Sequence, residues 1–230
     1  MVPELSKLEQ EIGVDFRNKN FLKESLTHRS YLNENPGWKL PHNERLEFLG
    51  DAVLELVVTE NLFGRFPDYP EGHLTSLRAS LVNSQTMATV AKDLNLEDFI
   101  LLSRGESKDT GKARDEIMAN AMEAVIGAVY LDGGYGAAKN LIEKFVISRH
   151  LDEIIKNGLY KDPKSQLQEI VQEKFKMTPV YRVSGEEGPD HRKIFKTGVY
   201  FADKLIAEGE GYSKQDAEVG AAKNALKSLI

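Results

Sequence analysis

Two stretches carry carboxylates where a helix built only for packing would not place them. In His42-Asn43-Glu44-Arg45-Leu46-Glu47-Phe48-Leu49-Gly50-Asp51-Ala52-Val53-Leu54, the acids Glu44, Glu47 and Asp51 recur three and four residues apart. That spacing puts them on one helical face. Their apolar neighbours call for burial, and partly burying like charges is costly unless something positive compensates. The second stretch is Ile117-Met118-Ala119-Asn120-Ala121-Met122-Glu123-Ala124-Val125-Ile126-Gly127-Ala128-Val129-Tyr130-Leu131, in which Glu123 is the only charge and Asn120 lies one turn before it. An apolar helix of this kind is buried on most sides, so Glu123 needs a partner. If the two helices pack together, Glu47, Asp51, Asn120 and Glu123 form an all-oxygen set. Such sets suit hard cations, Mg²⁺ above all, which retains waters for chemistry. Taken singly, a residue such as Glu44 or Glu47 is most often a solvated face residue or a partner of Arg45 or another arginine.

The elements that must position these groups read as helices up to about residue 155. Apolar periodicity predicts helical segments over Glu47–Phe63, Leu74–Asn95, Arg114–Asp132 and Ala137–Asn157. Turn signals stand between them at Asn35-Pro36-Gly37, at Pro67 to Gly72, at Ser103-Arg104-Gly105 and at Gly133-Gly134. The pattern changes after Asn157-Gly158. Asp162-Pro163 starts a helix over Lys164–Phe175. Alternating stretches at Val180–Ser184, Ile194–Phe201 and Lys204–Gly209 follow and read as an antiparallel meander. A last helix is expected over Lys214–Leu229, with Ser213 as its N-cap and Asp216 three residues on. The expected division is 1–156, a linker at 157–160, and 161–230.

Composition bounds the alternatives. The 230 residues include no cysteine and carry a net charge of −6. This excludes a disulfide scaffold, cysteine-ligated metals and thiol catalysis. No apolar run approaches the roughly 18 residues that span a membrane, and the charged start MVPELSKLEQEIGVDF is no signal peptide; the expectation is a cytoplasmic protein with no membrane partner. Phosphate binding ordinarily calls for a basic surface, but the charge is uneven: residues 1–158 sum to −7 and residues 159–230 to +1.

Asn43-Glu44-Arg45-Leu46-Glu47-Phe48-Leu49-Gly50-Asp51 closely resembles the signature of bacterial ribonuclease III. Leu26 to Tyr31, Glu71 to Val82 and Glu123 to Asp132 resemble further blocks of that family. The tail, through Leu167-Gln168-Glu169, Gly188-Pro189-Asp190-His191 and Ala221 to Leu226, is similar to a double-stranded-RNA-binding domain. The match covers nearly the whole chain in order. It implies a mostly α protein: an all-helical ribonuclease III endonuclease domain, then a small α-β-β-β-α double-stranded-RNA-binding domain.

The resemblance further implies a homodimeric endoribonuclease that hydrolyses duplex RNA with Mg²⁺, for which Mn²⁺ can substitute. Products would carry 5′-phosphates and short 3′ overhangs, and the targets would be ribosomal RNA precursors and structured transcripts. By position, Glu47, Asp51 and Glu123 match the metal-binding carboxylates, with Asp51 and Glu123 catalytic. Glu44 and Glu71 match supporting acids. Ser165, Gln168, Glu169, Pro189, His191 and Lys214 match RNA contacts. One departure matters: the family usually has aspartate where this chain has Asn120. Asparagine keeps a carbonyl oxygen for a metal or water but brings no charge, which leaves a neutral ligand, a weakened site and a disabled one as three readings. The competing class is an RNA-binding protein with a disabled site. A diiron carboxylate bundle would want Glu-x-x-His pairs, which neither carboxylate stretch contains.

Overall fold

The structure is a computed structural model that describes residues 4–108, 110–158, 162–189 and 193–229. The chain forms two compact units, residues 1–160 and 161–230.

The first unit is helical: α1 (Leu5–Ile12), α2 (Lys19–Ser25), α3 (Arg29–Glu34), α4 (Glu44–Arg65), α5 (Glu71–Leu81), α6 (Ser84–Asp93), α7 (Lys112–Ile142) and α8 (Ser148–Asn157). Helix α7 is the hub. Its Met118, Met122, Val125, Ile126 and Val129 are fully buried, and it packs against α4, α6 and α2. This explains why its middle is apolar all round. Besides shifts of a few residues at helix ends, two departures from the sequence expectation stand out. The segment read as Leu74–Asn95 is broken at Val82-Asn83, because the Asn83 side chain accepts the Thr86 amide at 2.9 Å and starts α6 afresh. The turn expected at Gly133-Gly134 is instead a kink inside α7, with Gly134 alone in a non-helical conformation (φ 76°). A π-helical turn at Glu143–Ile147 then leads into α8.

The second unit is α9 (Pro163–Phe175), β1 (Val180–Glu187), β2 (Ile194–Phe201), β3 (Lys204–Gly211) and α10 (Lys214–Leu229). The strands form an antiparallel sheet in the order β1-β2-β3. Strand β1 runs three residues beyond its expected end. A register shift between Val183 and Gly185 lets Gly185, Glu186 and Glu187 go on pairing with β2. Leu167 and Val171 of α9, Val199 of β2, and Ala221, Ala222, Ala225 and Leu226 of α10 form its core. At Gly209 an added Cβ would overlap the Ala221 amide, so β3 and α10 touch through main chain.

Candidate active site

The start of α4 is pinned from two sides. The Asn43 amide donates to the Thr27 carbonyl at 2.9 Å, and the Asn43 carbonyl accepts the Glu47 amide at 2.9 Å. The strand-like stretch holding Thr27 is itself tied to Leu101, through His28 N to Leu101 O (3.1 Å) and Leu101 N to Leu26 O (2.8 Å). Glu44 and Glu47 fall in the first turn, where the helix dipole favours negative charge. Glu44 is held by Arg29 at 3.7 Å, with His42 Nδ1 at 3.8 Å.

One turn further, α4 crosses α7 main chain to main chain. A Cβ on Gly50 would overlap the Glu123 carbonyl, and a Cβ on Gly127 would overlap the Leu46 carbonyl. This reciprocal pair of glycines brings Glu47 and Asp51 to Glu123. The electrostatics register the approach. Burial, then Asp51 and Glu47, push the Glu123 carboxyl up to about 7. Burial, then Glu44, Asp51 and Glu116, raise the Glu47 carboxyl.

A cleft of about 320 Å³ opens beside this crossing, and Glu44, Glu47, Glu116 and Asn120 share it with His28, Arg29 and Glu106. Asp51 is exposed and Glu123 half-buried; neither lines the cleft itself. Among the described residues, no three acidic or histidine side chains converge as a ready cage for an ion. The all-oxygen set expected from the sequence is therefore open, and uncompensated like charges have no reason to close it. An open, acid-rich set still fits Mg²⁺, which takes one or two carboxylates and keeps several waters, better than it fits Ca²⁺, which takes six to eight oxygen ligands in a larger shell.

Glu71 is placed elsewhere in the same unit. It begins α5, accepts the Thr75 hydroxyl at 2.8 Å, and lines a hollow with Thr59, Phe63 and Arg78. Thr59 is twelve residues along α4 from Glu47, about 18 Å at the helical rise.

In the second unit, the Asp162 side chain accepts both the amide and the hydroxyl of Ser165 at 2.9 Å, which sets the first turn of α9. Ser165, Gln168 and Glu169 are exposed on one face of that helix. Pro189 is exposed beyond the end of β1, and His191 lies outside the described residues. Ser213 Oγ accepts the Asp216 amide at 3.1 Å and donates to its carboxylate at 2.7 Å, the capping box that puts Lys214 at the first position of α10.

Comparison with family models matches residues 18–150 to the ribonuclease-III-like family and residues 163–229 to the double-stranded RNA binding motif. A ribonuclease 3 from Enterococcus faecalis is 43% identical over 227 residues, 97% of this chain and 96% of that protein. The chain belongs to the ribonuclease III family. It is an endoribonuclease of that type with an appended double-stranded-RNA-binding unit, as the sequence resemblance implied. A ribonuclease 3 from Oleidesulfovibrio alaskensis is 44% identical over 223 residues, covering 97% of this chain and 96% of that one. The solved nuclease domain of ribonuclease III from Campylobacter jejuni, described as flexible in a region involved in dimer formation, is 44% identical with a TM-score of 0.58. It covers 64% of this chain and 99% of its own.

Two acids of this cleft escaped sequence reasoning. Glu116 stands four residues before Asn120, on the face that leads to Glu123, so the spacing rule that grouped Glu44, Glu47 and Asp51 would also have found it. Glu106 had no such signal. It reaches the cleft through a loop: the Ser103 amide donates to Ser30 Oγ at 3.1 Å, and the Glu106 amide to Ser103 Oγ at 3.2 Å. His28 caps α3 by accepting the Ser30 amide, and burial holds its imidazole below the usual range, consistent with a structural role.

Proposed function

We propose that the protein is a Mg²⁺-dependent, duplex-specific endoribonuclease that acts as a homodimer. Its products would carry 5′-phosphates and short 3′ overhangs, and its substrates would be ribosomal RNA precursors and structured transcripts in the cytoplasm. The division of labour is a catalytic unit at 1–156, a linker at 157–160 and an RNA-gripping unit at 161–230. The observation that carries the reading is Glu123. The Gly50–Gly127 crossing brings this half-buried carboxylate of an apolar helix to Glu47 and Asp51 of α4, and burial with those two acids pushes it up to about 7.

Glu47, Asp51 and Glu123 would hold the cation, and Asn120 would offer a neutral carbonyl oxygen. When bound, Mg²⁺ supplies a water of lowered pKa and offsets charge growing on the leaving 3′ oxygen. The chain's own part is placement. The Gly50–Gly127 crossing sets the spacing of the acids, and Arg29 orients Glu44 at the rim. Ser165, Gln168 and Glu169 are placed to meet 2′-hydroxyls, and Lys214 to meet phosphate, which suits recognition of duplex RNA by shape. Glu71 serves as a supporting acid at the far end of α4.

An apolar stripe supports the homodimer. Phe48, Leu56 and Phe63 of α4, spaced eight and seven residues apart on one face, are 82%, 57% and 75% exposed, with Leu131 of α7 at 47%. Large side chains left open in a row mark an interaction surface. Among the described residues, no helix is long and apolar enough to cross a membrane.

The test is cleavage of a labelled RNA duplex with and without Mg²⁺, with single-stranded RNA and a DNA duplex as controls. Duplex bound but uncut at saturating Mg²⁺ would favour the disabled-site alternative, which Asn120 alone supports.

A further inference from the structure

Beside the acidic cleft lies a second cavity, about 680 Å³, between the start of α6 and the first turns of α7. The two hollows share Glu116 and Asn120 as a common wall. The rest of the second lining differs in kind. Ser84 and Gln85 of α6 and Lys112 of α7 bring donors, while Asp115 is neutralised by Lys92. Lys112 is exposed and makes no ion pair among the described residues. The arginine that lines the acidic cleft, Arg29, is already engaged with Glu44. Of the lysines and arginines lining the two hollows, Lys112 is therefore the one without a carboxylate partner among the described residues.

A polynucleotide carries a phosphate at every step, so a strand held at the acids must lay its next phosphates on either side of them. Carboxylates repel a phosphodiester, whereas a lysine and an amide bind it. The volume lies within the roughly 300–1,000 Å³ typical of ligand-sized hollows. We propose that this cavity is a flanking subsite of the ribonuclease, in which Lys112 and Gln85 bind the backbone phosphate next to the one that is cleaved. The proposal rests on the endoribonuclease reading above. It assigns Lys112 and Gln85 to substrate positioning and leaves the chemistry to the acids.

The test uses the full chain with Mg²⁺ and a synthetic RNA duplex whose cleaved bond has been mapped. Versions of the duplex carry an uncharged methylphosphonate at the linkage on one or the other side of that bond. Lys112→Ala is expected to raise KM about tenfold, and Gln85→Ala about threefold, with kcat nearly unchanged and Lys112→Arg close to the parent. One of the two methylphosphonates should impose a comparable loss on the parent protein and no further loss on Lys112→Ala, because the contact it removes is already gone. If neither methylphosphonate affects the parent, or if the losses from variant and substrate multiply, the subsite is wrong while the enzyme reading stands. If the parent fails to cut the unmodified duplex, both fall.

Discussion

Gly50 lies directly against the peptide carbonyl of Glu123, so that the signature acids of α4 reach the half-buried acid of α7 through a contact with no side chain in it. Gly127 answers it on the other helix, where any Cβ would overlap the Leu46 carbonyl. An obstruction of this kind cannot be relieved by a rotamer change, because the atoms met are main chain.

Gly50→Ala or Gly127→Ala should therefore push the helices apart. Overpacking costs roughly 1–3 kcal/mol, and the displacement of Glu123 from Asp51 should lower cleavage more than the melting temperature suggests. Thermal melts and cleavage rates, measured on the same preparations, decide it; variants with parental rates would show that the crossing does not set the site.

Glu123→Gln should reduce cleavage on the order of 10³-fold while leaving duplex binding intact. Loss of binding and cleavage together in a folded variant would argue against a catalytic role. The same residue predicts a pH effect. Its folded carboxyl titrates near 7 against an ordinary 4.5, so the folded protein holds the proton more tightly than the unfolded chain. The stability this contributes is complete below about 4.5 and is lost as pH rises through about 7, an effect of about 3 kcal/mol. Denaturant melts of the metal-free protein between pH 5 and 8 should show the decline, and Glu123→Gln should flatten it.

Asn120→Asp would add a negative charge to the wall shared by the cleft and its neighbour. The half-maximal Mg²⁺ concentration for cleavage should fall, on the order of tenfold. A Mg²⁺ titration that superimposes on the parent's would show that position 120 does not sense the ion.

Lys214→Ala should weaken duplex binding by a similar factor for unrelated sequences and reduce the salt dependence of binding by about one unit of slope. Binding lost for some sequences and kept for others would contradict a phosphate contact at the start of α10.

Much of this was legible before any coordinates, and the reasons are local. The Ser213–Asp216 box announces α10 at its observed start, and alternation delimits β2 at Ile194 and Phe201. What escaped depends on other segments. Asn83 breaks the α5–α6 stretch through a cap that periodicity cannot register, and Gly185 to Glu187 join β1 only because β2 offers them partners across a bulge. At the site, spacing alone groups Glu44, Glu47 and Asp51, and composition singles out Glu123. That α4 and α7 meet at Gly50 and Gly127 is a tertiary fact. Glu106 arrives through hydrogen bonds from Ser103 and Ser30, residues 73 positions apart, which no window along the chain can connect.

The kink at Gly134 divides the labour of the longest helix. Upstream lie Asn120, Glu123 and Gly127; downstream, Tyr135 and Lys139 both hold Glu60, far along α4 from the acids. The two helices are thus fastened twice, once by bare backbone at the reactive end and once by polar side chains at the other, with a hinge-like break between the fastenings. Strain arriving at the distal clasp can be absorbed at residue 134 before it reaches residue 123. Small changes at exposed positions beyond the break should on this ground be better tolerated by catalysis than equally small changes before it, which makes exposed Gly136 and Asn140 natural places to attach a label or a tether.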